Sequence, residues 1–338
     1  MATPGSGFAS YTVGWPGTFG ATATGALATG GTREDLSDLL VILSPDDTPA
    51  VTMLPKSTTQ GLLHEWMTDV LSGTATAGVT EGDDFAASPL SARVRYGNVV
   101  QSFRKDFLVS NDQQQLAANG RTVGTGNEYD FQVGKSLKEI KRNIDARIWA
   151  QGSATVGSAT GATGTARRMA AVRGWFATEI QSNISGAFAT ASFLNLHETM
   201  YTEGADPDTL FVSPGVKADV SRTLLNDAGL ARVQWQGAVS DKTYAPIVDI
   251  IQTDFGRLAV VPDRWVPQSA ATAASGVSGD GASFFLIEKA KVRLALFRPP
   301  KHYPLPPSGD SVRGFCLAAL TVEVLHPSAV GVGYNVTT

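Results

Sequence analysis

The chain has 338 residues and a formal net charge of −4; 43% of residues are hydrophobic, only 17% are charged, and 35 are glycine. That length is enough for one large domain or two moderate ones with a sizeable core, and the mild acidity excludes the broad basic face that general nucleic-acid binding needs. A single cysteine, Cys316, excludes an intrachain disulfide framework and a cysteine-rich metal site, and no apolar run approaches the length a bilayer requires.

Residues 1–31 are Gly, Ala, Thr and Ser with scattered aromatics, Tyr11, Trp15 and Phe19. Alone, such a segment buries too little surface to offset its ordering entropy. It is expected to be an arm held by neighbouring subunits, with a fold back onto its own domain as the alternative, and to lose no leading piece by cleavage. It lacks a basic start and a continuous apolar core, so no signal peptide is expected. A helix is predicted from Thr32, where Glu34 and Asp35 precede Leu36, Leu39, Leu40 and Ile42. It should stop by Ser44, since Pro45 disfavours helical geometry before it, and residues 46–49 predict a turn.

The stretch 63–67, Leu-His-Glu-Trp-Met, predicts a strand that dissolves into small and acidic residues between 72 and 84. Residues 92–100 alternate in part with period two, the pattern of a half-exposed strand. Two strands joined by so long a polar tip describe an extended hairpin. Such a tip is unusual inside a globule and is expected to lie on a neighbour, with Gly73, Gly82 and Gly97 as flexible joints. The strongest helix signal runs from Glu128 to Ala150. Val133, Leu137, Ile140, Ile144 and Ile148 share one face, while Lys135, Lys138, Glu139, Lys141, Arg142 and Asp145 are expected on the rest.

Further on, a strand is predicted at 209–212, followed by a helix opening at Pro214 with Val216, Val220, Leu224 and Leu225 as its apolar face. A hairpin-like pair is predicted at 247–252 and 257–261. Strands are also expected at 284–287, 292–297 and 315–325, with Pro299-Pro300 and the run 304–307 as an irregular connection. Cys316 lies in the apolar run 315–320 and is expected as a small buried hydrophobe, in a product of reducing cytoplasm. The whole predicts an α+β organisation with mostly local hairpins and no internal repeat.

Motifs for chemistry are incomplete. Gly134-Lys135-Ser136 resembles the end of a phosphate loop, but Tyr129 stands where a glycine is required and the segment is inside a helix. His64-Glu65 and His197-Glu198 begin like zinc-protease helices, yet Thr68 and Tyr201 occupy the second histidine position. Gly276-Val277-Ser278-Gly279-Asp280 lacks the final glycine of a nucleophile elbow. Gly124-Thr125-Gly126 lacks the third glycine of a dinucleotide fingerprint, where Tyr129 stands again. Glu139 with Asp145, or Asp83 with Asp84, are ordinary surface acids on this reading. No catalytic residue, cofactor or metal is expected.

Several stretches taken together carry a resemblance. They are Asp35-Leu36-Ser37-Asp38 with the segment 44–49; His64-Glu65-Trp66; the segments 93–98, 103–110 and 137–145; and Arg167-Arg168-Met169 leading to Gly174-Trp175. In order and spacing these resemble the major head proteins typified by phage SU10, tailed-phage capsid proteins of the HK97-like fold. The likeness is specific over 32–175, looser to about 265, where Phe211-Val212-Ser213-Pro214 and Asp254-Phe255-Gly256 still fit, and weak at the C-terminus.

The resemblance implies an HK97-like major capsid fold with an N-terminal arm (1–34), an N-terminal helix and turn (35–56), an extended loop (57–104), and a peripheral domain (105–200) that includes a spine helix at 128–150. A mainly axial domain (201–320) and a C-terminal segment returning to the peripheral domain (321–338) complete it. The implied role is shell building. Copies assemble as hexamers and pentamers around double-stranded DNA without sequence-specific binding, with a portal protein at one vertex, room for cement or decoration proteins, and no membrane partner. Assembly is expected in the host bacterial cytoplasm and residence in the virion. A genome-free compartment shell or another repeating virion protein is the alternative.

Candidate inter-subunit contacts are Tyr11, Trp15 and Phe19 in the arm; His64, Trp66, Glu81, Asp83, Asp84, Arg93, Arg95 and Arg104 in the loop; and Lys105, Arg167 and Arg168 beyond it. The acids at 81, 83 and 84 are expected to meet these basic residues on a neighbour, ordinary solvated charge being the alternative. Some capsids of this fold join a loop lysine to an asparagine of another subunit. No lysine lies between Lys56 and Lys105, so that bond is excluded from the loop's body here.

Overall fold

A run such as Ala282–Ile287, apolar throughout but for one serine, has to be covered on both sides. In the computed structural model it is an inner strand of the larger of two main sheets, every residue buried. The structure describes residues 44–71, 78, 81–82, 84, 92–115, 127–150, 164–174, 180–226, 248–268, 282–307 and 309–337. The predicted arm, with Tyr11, Trp15 and Phe19, the body of the helix expected from Thr32, and the joint at Gly73 lie outside these residues.

The described elements, in chain order, begin with α1 (Pro49–Met53), β1 (Lys56–Thr58), β2 (Leu63–Thr68), β3 (Val94–Val99), β4 (Gln101–Ser110) and α2 (Asn111–Gln115). Then come α3 (Glu128–Trp149), β5 (Gln181–Gly186), α4 (Thr190–Thr202), β6 (Thr209–Val212) and α5 (Pro214–Asn226). The last are β7 (Ile250–Thr253), β8 (Gly256–Pro262), β9 (Ala282–Ile287), β10 (Val292–Leu305), β11 (Ser311–Val324) and β12 (Val330–Val336). They build a four-stranded sheet, β1-β10-β11-β4, a six-stranded sheet, β5-β12-β9-β6-β8-β7, and the separate pair β2-β3.

The 22-residue α3 is about 33 Å of rod at 1.5 Å per residue. Asn127 opens it, its side chain accepting the Tyr129 N–H at 3.3 Å. Ile140, Ile144 and Ile148 are buried, as their spacing requires, and Val133 and Leu137 pack at the margin. This face meets Phe103, Leu294, Cys316, Ala318 and Leu320 of the four-stranded sheet, and Phe211, Phe285 and Ile287 of the six-stranded sheet, in one core. Alternate residues of the same strands point the other way. Leu210, Val212, Phe284 and Leu286 form a second core with Phe193, Leu196 and Met200 of α4 and Val216 and Val220 of α5.

Close approach also shapes β12. A Cβ added to Gly333 would overlap the fully buried Phe284 ring. Gly333→Val is expected to destabilise by about 3 kcal/mol through overpacking, read as a lower midpoint of denaturant unfolding.

The structure corrects several expectations. Local hairpins are only part of the plan: β1 runs parallel to β10, β6 to β8 and β12 to β5, and β4 pairs with the distant β11. The prolines at 299–300 do not end a strand. β10 continues through them by shifting register between Leu296 and Lys301, and residues 298–301 are exposed there. β1 pairs with residues 294–296, so beyond them, among the described residues, that edge carries no ladder for a missing N–H to break. Gly97 is not a joint: it sits in ladder opposite Glu65, and a Cβ there would press on the Glu65 side chain. Asp145 is not a surface acid but fully buried, because it faces α1 and not solvent. Residues 292–324 belong to the sheet under α3, whereas 330–336 join the six-stranded sheet.

Candidate interaction surfaces

The β2–β3 hairpin leaves the body at Val100, whose N–H bonds to the Leu62 carbonyl at 2.9 Å. Its base is fixed by one polar residue in an apolar run. Asn98 is fully buried. Its Nδ2 donates to the carbonyls of Val322 at 2.8 Å and Ala170 at 3.2 Å, and its Oδ1 accepts from the N–H of Ala170 at 2.9 Å and of Val99 at 2.8 Å. One side chain therefore joins the hairpin, the 164–174 segment and β11.

Beyond that anchor the hairpin is under-covered. Leu63, Glu65 and Met67 share one face of β2 and are all exposed, while His64, Trp66 and Thr68 turn to the other. Leu63 is 53%, Met67 66% and Leu71 95% exposed, and Val94 on β3 is exposed as well. Large apolar side chains gathered on a two-stranded ribbon are the signature of a surface that meets another molecule.

The candidate contact residues separate into groups. His64 and Trp66 turn inward: Trp66 is buried, and His64 Nε2 lies 3.6 Å from Glu323 Oε2, too long for a hydrogen bond. Arg93 approaches Asp69 at 3.3 Å, Arg95 Glu65 at 3.7 Å, Arg104 Asp106 at 3.0 Å and Lys105 Glu139 at 2.9 Å. These are solvated pairs within one chain, each contributing about 0–1 kcal/mol. Glu81 and Asp84 are exposed; Asp83 lies outside the described residues. Arg167 and Arg168 are half-buried.

Buried titratable groups are structural in setting. Arg147 donates to the Met169 carbonyl, and burial with Arg168 nearby lowers its pKa to about 10. His197 accepts or donates at Nδ1 with the Thr253 hydroxyl at 3.0 Å, and burial lowers its pKa. Asp145 is pushed up to about 8, by burial first and the Asp263 carboxylate second. Among the described residues, no group of three or more His, Cys, Asp or Glu is placed to hold a metal, and no helix is long and apolar enough to cross a membrane.

Sequence reading missed Asn98 and the exposed Leu63, Met67 and Leu71. A signal for them exists: an asparagine between Gly97 and Val99-Val100, and leucine and methionine at alternate positions of the strand 63–68, on the face opposite Trp66.

The family described as SU10 major capsid protein matches residues 18–337 of the chain. The major capsid protein of Escherichia phage Phieco32 is 31% identical over 116 residues, 34% of this chain and 32% of that relative. The chain thus matches about a third of that protein's length. Among solved structures, the capsid of a native GTA particle superposes with a TM-score of 0.61 at 11% identity, covering 94% of this chain and 100% of that one. The holo-SrpI encapsulin complex of Synechococcus elongatus PCC 7942 gives 0.55 at 10% identity, covering 92% and 93%. These likenesses establish an HK97-like α+β fold.

Proposed function

The chain belongs to the SU10 major capsid protein family, a shell-forming structural protein of the HK97-like superfamily, and from that premise we propose how it builds its shell. Copies associate as hexamers and pentamers, and the β2–β3 hairpin with its 69–93 connection overlies an adjacent copy as the extended loop. The observation that carries this reading is the hairpin itself, pinned at Asn98 yet exposing Leu63, Met67 and Leu71. The four-stranded sheet with α3 serves as the peripheral part, and the six-stranded sheet with α4 and α5 lies toward the symmetry axes. Residues 1–34 act as an arm across neighbours. A subunit gripped at many points needs only modest affinity at each.

The enclosed cargo is double-stranded DNA bound without sequence preference, in keeping with a net charge of −4. A portal protein at one vertex and cement proteins are the further partners, and assembly takes place in the bacterial cytoplasm. Negative-stain imaging of the expressed chain is expected to show closed shells. Met67→Glu combined with Leu71→Glu is expected to leave the circular dichroism spectrum unchanged while abolishing shells in favour of small oligomers. Shells formed normally by the double variant would overturn the hairpin's role. Particles carrying no nuclease-protected DNA after infection would favour a genome-free compartment.

A further inference from the structure

Two carboxylates are buried near the meeting of α1 and α3, and among the described residues neither makes a salt bridge. Asp145 and Asp263 are both fully buried, and the charge bearing on Asp145 is that of Asp263. Asp263 has a donor on each oxygen: the Trp265 N–H at 2.9 Å on Oδ1 and Trp149 Nε1 at 2.7 Å on Oδ2. Asp145 accepts the Val51 N–H at 3.2 Å on Oδ1, but its Oδ2 is buried without a partner. Burial raises both carboxyls; the backbone N–H groups of Val51 and Ala50 oppose this at Asp145, and the Trp265 and Trp149 donors, one on each oxygen, oppose it at Asp263, so the shared proton rests on Asp145.

Val51 belongs to α1, in the stretch 44–54 that leads out of the N-terminal region. Ala50 and Leu54 place this stretch in the core. Its other polar ties are peripheral: Trp265 Nε1 to the Asp47 carbonyl at 2.8 Å, Lys138 to Asp46 at 2.9 Å and Arg264 to Asp47 at 3.6 Å. Pro49–Met53 brings no titratable group to the buried pair. On α3, Arg142 lies over the Trp265 ring at 5.7 Å, and Arg147 is engaged with Met169. We infer that Asp145 and Asp263 form a proton-dependent latch on residues 44–54, shut while Asp145 holds its proton and loosened as the proton is lost.

The sign follows from linkage. In the closed form Asp145 keeps its proton to about pH 8; in the opened form it returns to an ordinary carboxylate, near 3.8. Opening becomes easier as pH rises between those values, by up to about tenfold per pH unit, and levels off above. The latch goes beyond the shell-building reading and is tested on the dissociated full-length chain, so failure of shells to form would not decide it.

The test is limited proteolysis between pH 5.5 and 9.5, with rates normalised to an unstructured peptide cut by the same protease. Cleavage within 44–54 of the parent chain is expected to rise at least tenfold from pH 5.5 to 8.5 and then flatten. Asp145→Asn, which keeps the acceptor but has no proton to lose, is expected to stay at the low rate throughout. Asp263→Asn removes the neighbouring charge and is expected to move the rise to lower pH. A pH-independent parent chain, or the same rise in Asp145→Asn, overturns the latch. If Asp145→Asn does not fold, an unmoved profile in Asp263→Asn overturns it instead.

Discussion

Trp149→Ala is expected to bring the chain close to unfolding at neutral pH. The indole is fully buried at the end of α3, with its ring 4.9 Å from Phe211 and 4.8 Å from Phe285. Truncation of a buried aromatic to alanine costs about 3–5 kcal/mol through lost transfer energy and the cavity left behind. Here a second loss is added, because Nε1 is the donor to Asp263 Oδ2. A buried carboxylate deprived of a donor adds about 1–3 kcal/mol. The sum is a large share of the 5–15 kcal/mol that holds a typical domain together. Trp149→Phe separates the two effects: it restores most of the ring volume but no donor, and about 1–3 kcal/mol should remain. Denaturant unfolding of both variants at pH 7 measures this. Equal, small losses would mean that neither the cavity nor the bond matters.

Asn98→Ala is expected to cost about 3–5 kcal/mol and to free the hairpin from the body. The variant strands the Val322 and Ala170 carbonyls and the Ala170 N–H in the interior, and each unmet group costs about 1–3 kcal/mol where water does not reach. Asn98→Asp is a sharper probe. It keeps the acceptor toward Ala170 but sets a buried negative charge against two carbonyl oxygens. Its defect should shrink toward low pH, where a protonated acid can again donate to one of them. Thermal unfolding gives the stability term, and proteolysis in the 92–100 strand reports release of the hairpin. A midpoint within about 1 °C of the parent chain for Asn98→Ala would show that the junction is not held by this side chain. These variants act on the folded subunit, whereas the Met67 and Leu71 substitutions act on what it meets.

The periodic parts of the fold were legible. α3 follows from isoleucines at steps of four, and the strand at 209–212, the helix at Pro214 and the hairpin bases at 63–68 and 94–99 follow from alternation and a single well-placed proline. β4 was less so. Three charged residues in a row, Arg104, Lys105 and Asp106, break the alternation of a strand, and pairing with β11 over ten positions makes it one. α4 carries a weaker signal, since Phe193, Leu196 and Met200 become a core face only when β12 lies against them. For the candidate contact residues, direction was not legible. His64 and Trp66 turn inward and Leu63 and Met67 outward because the pleat gives alternate residues to opposite faces, and nothing local states which face meets the body.

Residue order by itself determined the α+β character, the long central helix, the projecting hairpin and the family resemblance, because each depends on periodicity or on a short run of neighbours. Tertiary structure alone decided what Asp145, Asn98 and the prolines of β10 are doing. Asp145 has the sequence setting of a solvated helix acid, yet burial against Asp263 and α1 makes it a proton-holding core group. Asn98 becomes an anchor only because residues 72 and 224 positions away present their backbone to it. Those roles arise from contacts between distant segments, and the energy of a buried polar group is set by its partners and by exclusion of water rather than by its own identity.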